Sequence, residues 1–485
     1  MGIGYEHGIT SEQIETSVST PRTAGSGIVF VVGTAPAHMV GGTVNAPIMA
    51  LNYKEAVAAL GYSENWKNYT LCEVMYSSFQ LYGVSPVFFV NVLDPAKHKK
   101  TVDAAAYEII DRKVSLPLEA IAESVKATDE TGATTYKPEE DYGLLYDGEN
   151  LVLEILDGGA IPDSAGKLKI EYTAVDPSKV SDSDIIGGFN VTTKKTTGFE
   201  LVDAAFAKYN IAPDLLLCPG WSHKPEVAAI MTAKAENING VFEGKALIDV
   251  DAAAVQHYTD APEWKKKQNI FSKYQILFYP MVKLGEKLFH LSTQAAGLMA
   301  KVDTDNGDCP CESASNKNLQ ANSAVVDDGA AGEEMLLDPQ QANYLNSQGI
   351  VTALNFMGGF VLWGNESACF PANTDVKDYF YSVSRMFGWV SNTIVLTFWG
   401  KLDKRINRRL VDNICDTMNI WLNGLTADEK ILGGRVEFRN DENPDTSLMA
   451  GKATFHVFLT PCSPAKHLHF VLEYDHNYLS ALFAA

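Results

Sequence analysis

Two runs of β-branched, aromatic and leucine side chains constrain the fold most strongly, a continuous one at residues 28–32 and one at residues 87–93 that only Asn91 interrupts. Runs without polar alternation are typical of strands that are buried on both faces of a sheet. Between them, residues 53–60 and 69–82 predict two helices, each of which ends at a glycine. Two buried strands joined through helices form a crossover unit, so both strands are predicted to lie in one parallel sheet.

The same alternation of helix and strand returns after residue 198. The patterns predict elements at residues 199–209, 215–218, 225–237, 246–250, 276–281 and 350–356. Such alternation is typical of a doubly wound α/β sheet covered by helices. Residues 23–102 and 198–357 are therefore predicted to form an α/β core, with a long polar loop at residues 303–338.

Residues 103–197 have a different pattern. Short alternating runs, such as residues 151–155 and 168–172, are separated by Asp-Gly and Gly-Gly pairs that are typical of hairpin turns. Alternating strands bury one face only. The sequence thus predicts a small antiparallel β domain inserted into the α/β core.

The last domain is predicted to be of the α+β type and to cover residues 358–470. A helix-rich stretch at residues 377–425 precedes three strand-like runs, at residues 434–438, 453–459 and 469–474.

The two chain ends are predicted to be extended arms, at residues 1–22 and 471–485. The first is polar, rich in Ser and Thr, and lacks helical spacing, whereas the second ends in an apolar run. Apolar termini are unusual in water unless another surface covers them. Candidate contacts of the arms with other copies of the chain are Ile3, Tyr5, Ile9, Ile14, Phe470, Leu472, Tyr474, Leu479, Leu482 and Phe483.

Composition excludes several classes of protein. A chain of 485 residues exceeds one hydrophobic core, so several domains are expected. Its formal charge of −21 opposes binding to nucleic acid or to anionic membranes, and no apolar run is long enough to insert into a bilayer. Seven scattered cysteines and the absence of a signal-peptide pattern at residues 1–15 favour reduced thiols in a cytoplasm.

Catalytic and cofactor motifs are missing. The sequence contains no Gly-x-Ser-x-Gly, no His-Glu-x-x-His, no phosphate-binding loop and no dinucleotide fingerprint. Residues 303–308 are similar to a calcium loop, but the spacing fits an Asx-Gly turn better. Cys309 and Cys311 lack a second metal-binding pair, and His467 and His469 share one face of a predicted strand, as packing histidines also do. No enzyme activity, cofactor or metal is predicted.

One cluster of basic residues breaks a local rule. It precedes and opens a predicted helix whose apolar positions recur every three or four residues from Ile406 to Trp421. Positive charge at a helix start opposes the helix dipole, and broken local rules are common at functional sites. The cluster is either a docking face for an acidic partner, or a solvated helix end paired with the chain's own carboxylates. Its members are Lys401, Lys404, Arg405, Arg408 and Arg409.

Several motifs together resemble phage tail sheath proteins. The most specific are Phe-Val-Leu-Trp-Gly-Asn at residues 360–365, Cys-Phe-Pro-Ala-Asn-Thr-Asp at 369–375, Asn-Arg-Arg-Leu at 407–410 and Gly-Gly-Arg-Val-Glu-Phe at 433–438. Residues 31–35, 141–142 and 175–180 are similar to earlier parts of that family. The resemblance covers essentially the whole chain.

The resemblance implies a subtilisin-like α/β domain without a catalytic triad, an inserted β-sandwich that faces outward, and a C-terminal domain that faces a tail tube. It also implies a six-start helical homopolymer whose arms add strands to neighbouring copies, and whose contraction drives the tube through a cell envelope. The expected partners are further copies of the chain, the tube protein, and baseplate and terminator proteins. The expected location is the virion tail, assembled in the host bacterial cytoplasm.

Three other interpretations compete with a phage tail. A capsid-less contractile particle, such as an R-type bacteriocin, would have a sheath that looks the same in sequence. A degenerate α/β hydrolase would need a nucleophile that the motifs do not reveal. A surface adhesin is disfavoured because no export signal is recognised.

Overall fold

The computed structural model describes residues 21–327, 329 and 332–482. Three apolar clusters divide the chain into an α/β core, a β domain and a C-terminal helical domain. This mixed α/β, multidomain organisation agrees with the sequence prediction. The predicted contacts at Ile3, Tyr5, Ile9, Ile14 and Phe483, and the side chain of Leu482, lie outside the described residues.

The first part of the core has the predicted crossover unit. Its elements are β1 (Val29–Gly33), β2 (Ile48–Ala50), α1 (Tyr53–Leu60), α2 (Thr70–Met75) and β3 (Val87–Asn91). Helix α1 begins where the Asn52 side chain accepts the Glu55 amide, and it ends at Gly61 with φ +71°. Helix α2 continues as a π-helix over Tyr76–Leu81. The two helices together cover nearly all of the helix predicted at residues 69–82.

The inserted β domain consists of two three-stranded antiparallel sheets. Its strands are β4 (Lys99–Glu108), β5 (Lys113–Pro117), β6 (Lys126–Thr128), β7 (Tyr142–Asp147), β8 (Asn150–Ile155) and β9 (Lys167–Val175). One sheet has the order β4-β9-β6 and the other β5-β8-β7. Alternate residues of β8 and β9 are buried in a shared apolar cluster, as the period-two pattern predicts.

The second part of the core begins with a short helix and hairpin that follow the β domain. Its elements are α3 (Asp182–Ile186), β10 (Gly188–Asn190), β11 (Lys195–Thr197), α4 (Val202–Tyr209), β12 (Leu215–Leu217), α5 (Pro225–Glu236), β13 (Lys245–Asp249), α6 (Ala261–Lys267), β14 (Gln275–Phe278), β15 (Met281–Leu284), β16 (Lys287–Phe289), α7 (Leu291–Asp305), β17 (Ser323–Val326), β18 (Glu333–Glu334), α8 (Pro339–Ser347), β19 (Thr352–Asn355) and β20 (Phe360–Trp363).

One six-stranded sheet joins the two parts of the core, in the order β14-β13-β12-β1-β3-β2. All its strands are parallel except β2 at one edge, and Phe30 lies between Leu216 and Phe88 in register. Strands β1, β3, β12, β13 and β14 are buried along their whole length. Continuous apolar runs therefore correctly predicted strands with both faces covered.

Two sequence predictions about the core were wrong in detail. Residues 350–356 do not continue the large sheet: β19 pairs with β20 as an antiparallel hairpin, and a single parallel bridge from Val351 to Phe278 connects it to the sheet. Residues 303–338 are not one loop, because α7 extends to Asp305 and β17 pairs with β15. Neighbouring strands supply hydrogen-bond partners that a local pattern cannot reveal.

The C-terminal domain packs helices against a hairpin. Its elements are α9 (Val376–Tyr379), α10 (Tyr381–Phe398), α11 (Arg408–Ala427), β21 (Ile431–Glu437), α12 (Asp445–Met449) and β22 (His456–Pro461). Helices α10 and α11 share an apolar cluster with the β21–β22 hairpin. The strand predicted at residues 469–474 was wrong, since residues 462–475 contain neither helix nor strand and a 3₁₀ helix follows at His476–Leu482.

Candidate functional site

The predicted basic cluster forms a loop between the two long helices of the C-terminal domain. Helix α10 ends at Phe398, a 3₁₀ turn covers Trp399–Lys401, and α11 begins at Arg408. Asn407 caps α11, because its side chain accepts the Leu410 amide at 2.9 Å. The helix therefore starts two residues later than the sequence pattern indicates.

All the basic side chains of this loop are accessible, although Lys401 is half-buried. Arg408 lies 3.6 Å from Asp412, but its side chain is 94% exposed, so this pair is solvated and weak. Lys401, Lys404, Arg405 and Arg409 form no ion pair within the part of the chain that the structure describes. Pairing with carboxylates of the described residues therefore does not account for the charge of this loop, which we call the basic loop (residues 399–409).

Apolar side chains are interleaved with these charges. Trp399 is 61% exposed and Leu402 60% exposed, and Ile406 is exposed as well. Large apolar side chains that cluster in water mark surfaces that bind other macromolecules. The basic loop thus combines positive charge with apolar area, as protein interfaces often do.

The C-terminal segment is the second unpartnered region. After β22 the chain runs over residues 462–479 largely in solvent. The predicted contact residues Phe470, Leu472, Tyr474 and Leu479 are exposed by fractions between 47% at Leu479 and 95% at Leu472. A run of this kind lowers its free energy when another surface covers it.

The β21–β22 hairpin is a third surface. It is a two-stranded sheet, and neither outer edge pairs with another strand of the described chain. Unpaired edges present backbone donors and acceptors that an added strand can satisfy. Leu432 on β21 is also exposed, which gives an added strand an apolar contact.

A buried ionic network lies behind these surfaces, and the sequence analysis missed it. Arg385 of α10 donates to Asp214 at 2.9 Å and to Asp303 Oδ1 at 3.2 Å, and Ser26 donates to Asp303 at 2.7 Å. The Ile28 amide donates to Asp214 at 2.6 Å. The network connects the N-terminal segment with β12, α7 and α10. Its residues are far apart in sequence, so no spacing rule could have found it.

Burial and neighbouring charges have opposite effects on the pKa values of Asp303 and Arg385. Burial raises the pKa of the Asp303 carboxyl, and the Arg385 guanidinium opposes that rise. Burial lowers the pKa of Arg385, but the two carboxylates outweigh it and raise that pKa above its usual value. Arg385 is therefore a permanent buried cation.

The calcium-loop comparison at residues 303–308 fails for a structural reason. Asp303 lies within α7 and is bonded to Arg385, so it is not free to bind an ion. Cys309 is buried, with its thiol 3.6 Å from the Met386 sulfur. His467 and His469 stack with centroids 6.1 Å apart, but on irregular backbone and not on the predicted strand.

A buried acid and histidine cluster lies at the carboxyl ends of the core strands, and this cluster was also missed. Asp249 accepts the Ser222 hydroxyl at 3.1 Å and the Ser292 hydroxyl at 2.5 Å. His290 contacts Glu73 at 2.8 Å. Burial lowers the pKa of His290, but the charge and hydrogen bond of Glu73 outweigh it and raise that pKa to about 9. Ser222 and Ser292 thus donate to the Asp249 carboxylate and not to His290, so the contacts link the end of β13 to α7 and to the segment after β12.

Among the described residues, no group of three His, Cys, Asp or Glu side chains is placed to hold a metal ion. No helix within the described ranges combines the length and apolar character needed to cross a bilayer.

Comparison with known proteins finds phage tail sheath proteins among those that the chain resembles. No protein-family model matches the chain. The tail sheath protein of Burkholderia phage BcepMu is 29% identical over 495 aligned positions, which cover 99% of each chain. The tail sheath protein of Escherichia phage P2 is 23% identical, over 59% of this chain and 69% of its own.

Solved structures show the same fold. The sheath of the PVC extracellular contractile injection system, in its contracted state, superimposes with a TM-score of 0.57 at 13% identity and covers 98% of this chain and 99% of its own. The contracted helical sheath of the anti-feeding prophage also has a TM-score of 0.57, with 98% and 100% covered. The chain is thus similar to one phage tail sheath protein over 99% of its length and to another over 59%, and these homologues are structural sheath proteins and not enzymes.

Proposed function

We propose that the chain is the subunit of a contractile tail sheath that polymerises as a six-start helix around a tail tube. Contraction of the lattice would drive the tube through the envelope of the target cell. The full-length homology supports a sheath, and the exposed apolar segment after β22 supports a polymer. That segment is the observation that carries the proposal, because no described part of the same chain covers it.

We infer a division of labour between domains that follows the sequence boundaries. Residues 358–470 face the tube, residues 103–197 face outward, and residues 23–102 and 198–357 form the subtilisin-like core between them. The arms, residues 1–22 and 471–485, add strands to neighbouring copies, and the free edges of the β21–β22 hairpin are suitable acceptors. Contacts that do not close on themselves propagate as open helices.

The basic loop supports a contact with an acidic tube. Its unpaired cations would be neutralised by tube carboxylates, and solvated pairs of this kind are individually weak. Weak pairs can be broken in series as the sheath moves off the tube. Baseplate and terminator proteins would bind the ends of the polymer, and assembly would take place in the bacterial cytoplasm before the tail joins the virion.

Co-assembly of the chain with its tube protein tests the proposal. The double variant Lys404→Glu/Arg405→Glu reverses two exposed charges that form no ion pair within the described chain. We expect a folded protein that assembles sheaths without tubes inside them. The matched control is Lys194→Glu/Lys195→Glu in the β10–β11 hairpin, which makes the same charge change on another exposed surface and should leave tube-filled sheaths unaltered.

Electron microscopy gives the result. Tube-filled sheaths formed equally by both double variants would refute the role of the basic loop, while leaving polymerisation untouched. A wild-type chain that stays monomeric at high concentration, with and without tube, would refute the sheath function itself.

A further inference from the structure

The N-terminal segment is fastened along one face of α10. The Arg22 amide donates to the Thr397 hydroxyl at 3.1 Å, and the Ala24 amide donates to the Thr393 hydroxyl at 3.0 Å. The Trp389 indole donates to the Ala24 carbonyl at 2.9 Å. These helix positions recur every four residues, so their side chains form one row. The chain runs antiparallel to the helix, and its outer end lies beside the C-terminal end of α10.

This fastening continues into the interior. One further turn along the same row, Arg385 donates to Ser26 at 3.2 Å within the buried ionic network. Ala24 is buried in the apolar cluster of the C-terminal domain. Gly27 then has φ +72°, and a Cβ there would lie 2.6 Å from the Ala300 backbone. The segment at residues 22–27 is therefore part of the body of the protein.

The root of the C-terminal segment is fastened at the other end of α10. Lys466 contacts the Glu366 carboxylate at 2.5 Å, and Glu366 is 2% exposed. Glu366 forms a β-bridge with Phe380, which is the residue that precedes α10. Lys466 also lies 5.2 Å from the Phe370 ring centre. Residues 467–479 are exposed to solvent.

We propose that α10 is a strut that carries mechanical load between the two arms of each subunit. Arg22 lies at the C-terminal end of the helix and Lys466 near its N-terminal end, and these ends are about 27 Å apart for 18 residues. A pull by a neighbouring copy on either arm reaches α10 through a few named side chains. The inference rests on the proposed function, since only in a polymer does another copy hold the arms.

The strut also leads to the basic loop. Thr397, which holds the outermost fastened residue, lies one helical turn before Lys401. A pull on the N-terminal arm therefore acts next to the surface proposed to hold the tube. Movement of the lattice and release of the tube would be coupled through this helix end.

Two variants remove the side-chain contacts that hold these two segments, and both are expected to keep the fold. Thr393→Val/Thr397→Val removes two hydroxyl acceptors at nearly constant volume, and Lys466→Met removes the cation at the other root. Their matched controls are Thr417→Val, at a buried hydroxyl without a hydrogen-bond partner within the described chain, and Lys452→Met, at an exposed lysine.

Hydrogen exchange of the full-length monomer measures directly how firmly the two segments are held. We expect about fivefold to tenfold faster exchange at residues 22–26 in the first variant and at residues 463–467 in the second. The controls should match the wild type.

Contraction of assembled sheaths then tests the strut. Sheaths of both fastening variants should break into fragments several-fold more often than those of the controls when contraction is triggered. Unchanged exchange in both segments, or loosened segments in sheaths that contract intact, would overturn the inference. A wild-type chain that forms no sheath would instead refute the proposed function, and the exchange result would still decide whether the fastenings exist.

Discussion

Arg385→Met should be the most damaging single substitution in the C-terminal domain. The guanidinium side chain is 4% exposed and lies between Asp214 and Asp303, and Asp303 is fully buried. Methionine fills a similar volume but supplies neither charge nor donors. Breaking a buried ion pair by removing one partner costs about 3–5 kcal/mol, because the other charge is left uncompensated. We expect a loss of that size in the free energy of unfolding at pH 7.5.

The loss should shrink in acid. Burial raises the pKa of Asp303, and Arg385 opposes that rise. The Asp303 carboxyl therefore has a higher pKa in the folded Arg385→Met variant than in the folded wild type. A carboxyl whose folded pKa lies above its unfolded value destabilises the fold as pH rises through the interval between the two. The variant should therefore approach the wild type as the pH falls from 7.5 to 5.

Urea unfolding followed by tryptophan fluorescence measures this difference, since the buried Trp389 lies one turn from Arg385 on α10. Ser26→Ala is the control, because it removes a neutral hydroxyl bonded to charged partners and should cost about 1.5–3 kcal/mol, less than Arg385→Met. A loss below about 1 kcal/mol for Arg385→Met, or a loss that does not change between pH 7.5 and pH 5, would refute the reasoning.

Three further predictions concern other buried contacts. Gly27→Ala forces a positive φ and a clash with the Ala300 backbone, so thermal unfolding should reveal a loss on the order of 3 kcal/mol. Thr417→Val removes a buried hydroxyl without a partner in the described chain, and urea unfolding should show an unchanged stability or a gain of up to about 1 kcal/mol. The raised pKa of His290 gives stability that is fully present below about pH 6.5 and is lost as pH rises through about 9. Glu73→Gln should remove this dependence of the unfolding free energy on pH, as measured by urea unfolding between pH 6 and pH 9.5.

Local patterns predicted the elements whose burial is complete. Strands β1 and β3 were found because each contains four consecutive apolar residues, and α1 because Asn52 and Gly61 mark its ends. The basic loop was found because its charges oppose a helix dipole in an acidic chain. In each case the residues that determine the local structure lie within a few positions of the sequence pattern that predicted it.

Contacts between distant residues could not be predicted in this way. The segment at residues 469–474 has strand-like composition, but a strand needs a partner, and this segment pairs with no strand of the described chain. The fastening of Arg22 and Ala24 depends on threonines at positions 393 and 397, which look like ordinary helix residues in the sequence. Single threonines in a helix carry no sequence signal for a contact more than three hundred residues away.

The double variant Arg385→Met/Asp303→Asn decides what the buried network contributes. Replacing both partners of a buried pair is often nearly neutral, because no uncompensated charge remains. We expect it to recover at least half of the free energy that Arg385→Met loses, since Asp214 keeps some access to solvent. Exchange at residues 22–26 should nevertheless stay faster than in the wild type, because Ser26 has lost its charged partners. Recovery of both stability and slow exchange would mean that the network does not position the N-terminal segment, and α10 would then hold it through its threonines and Trp389 alone.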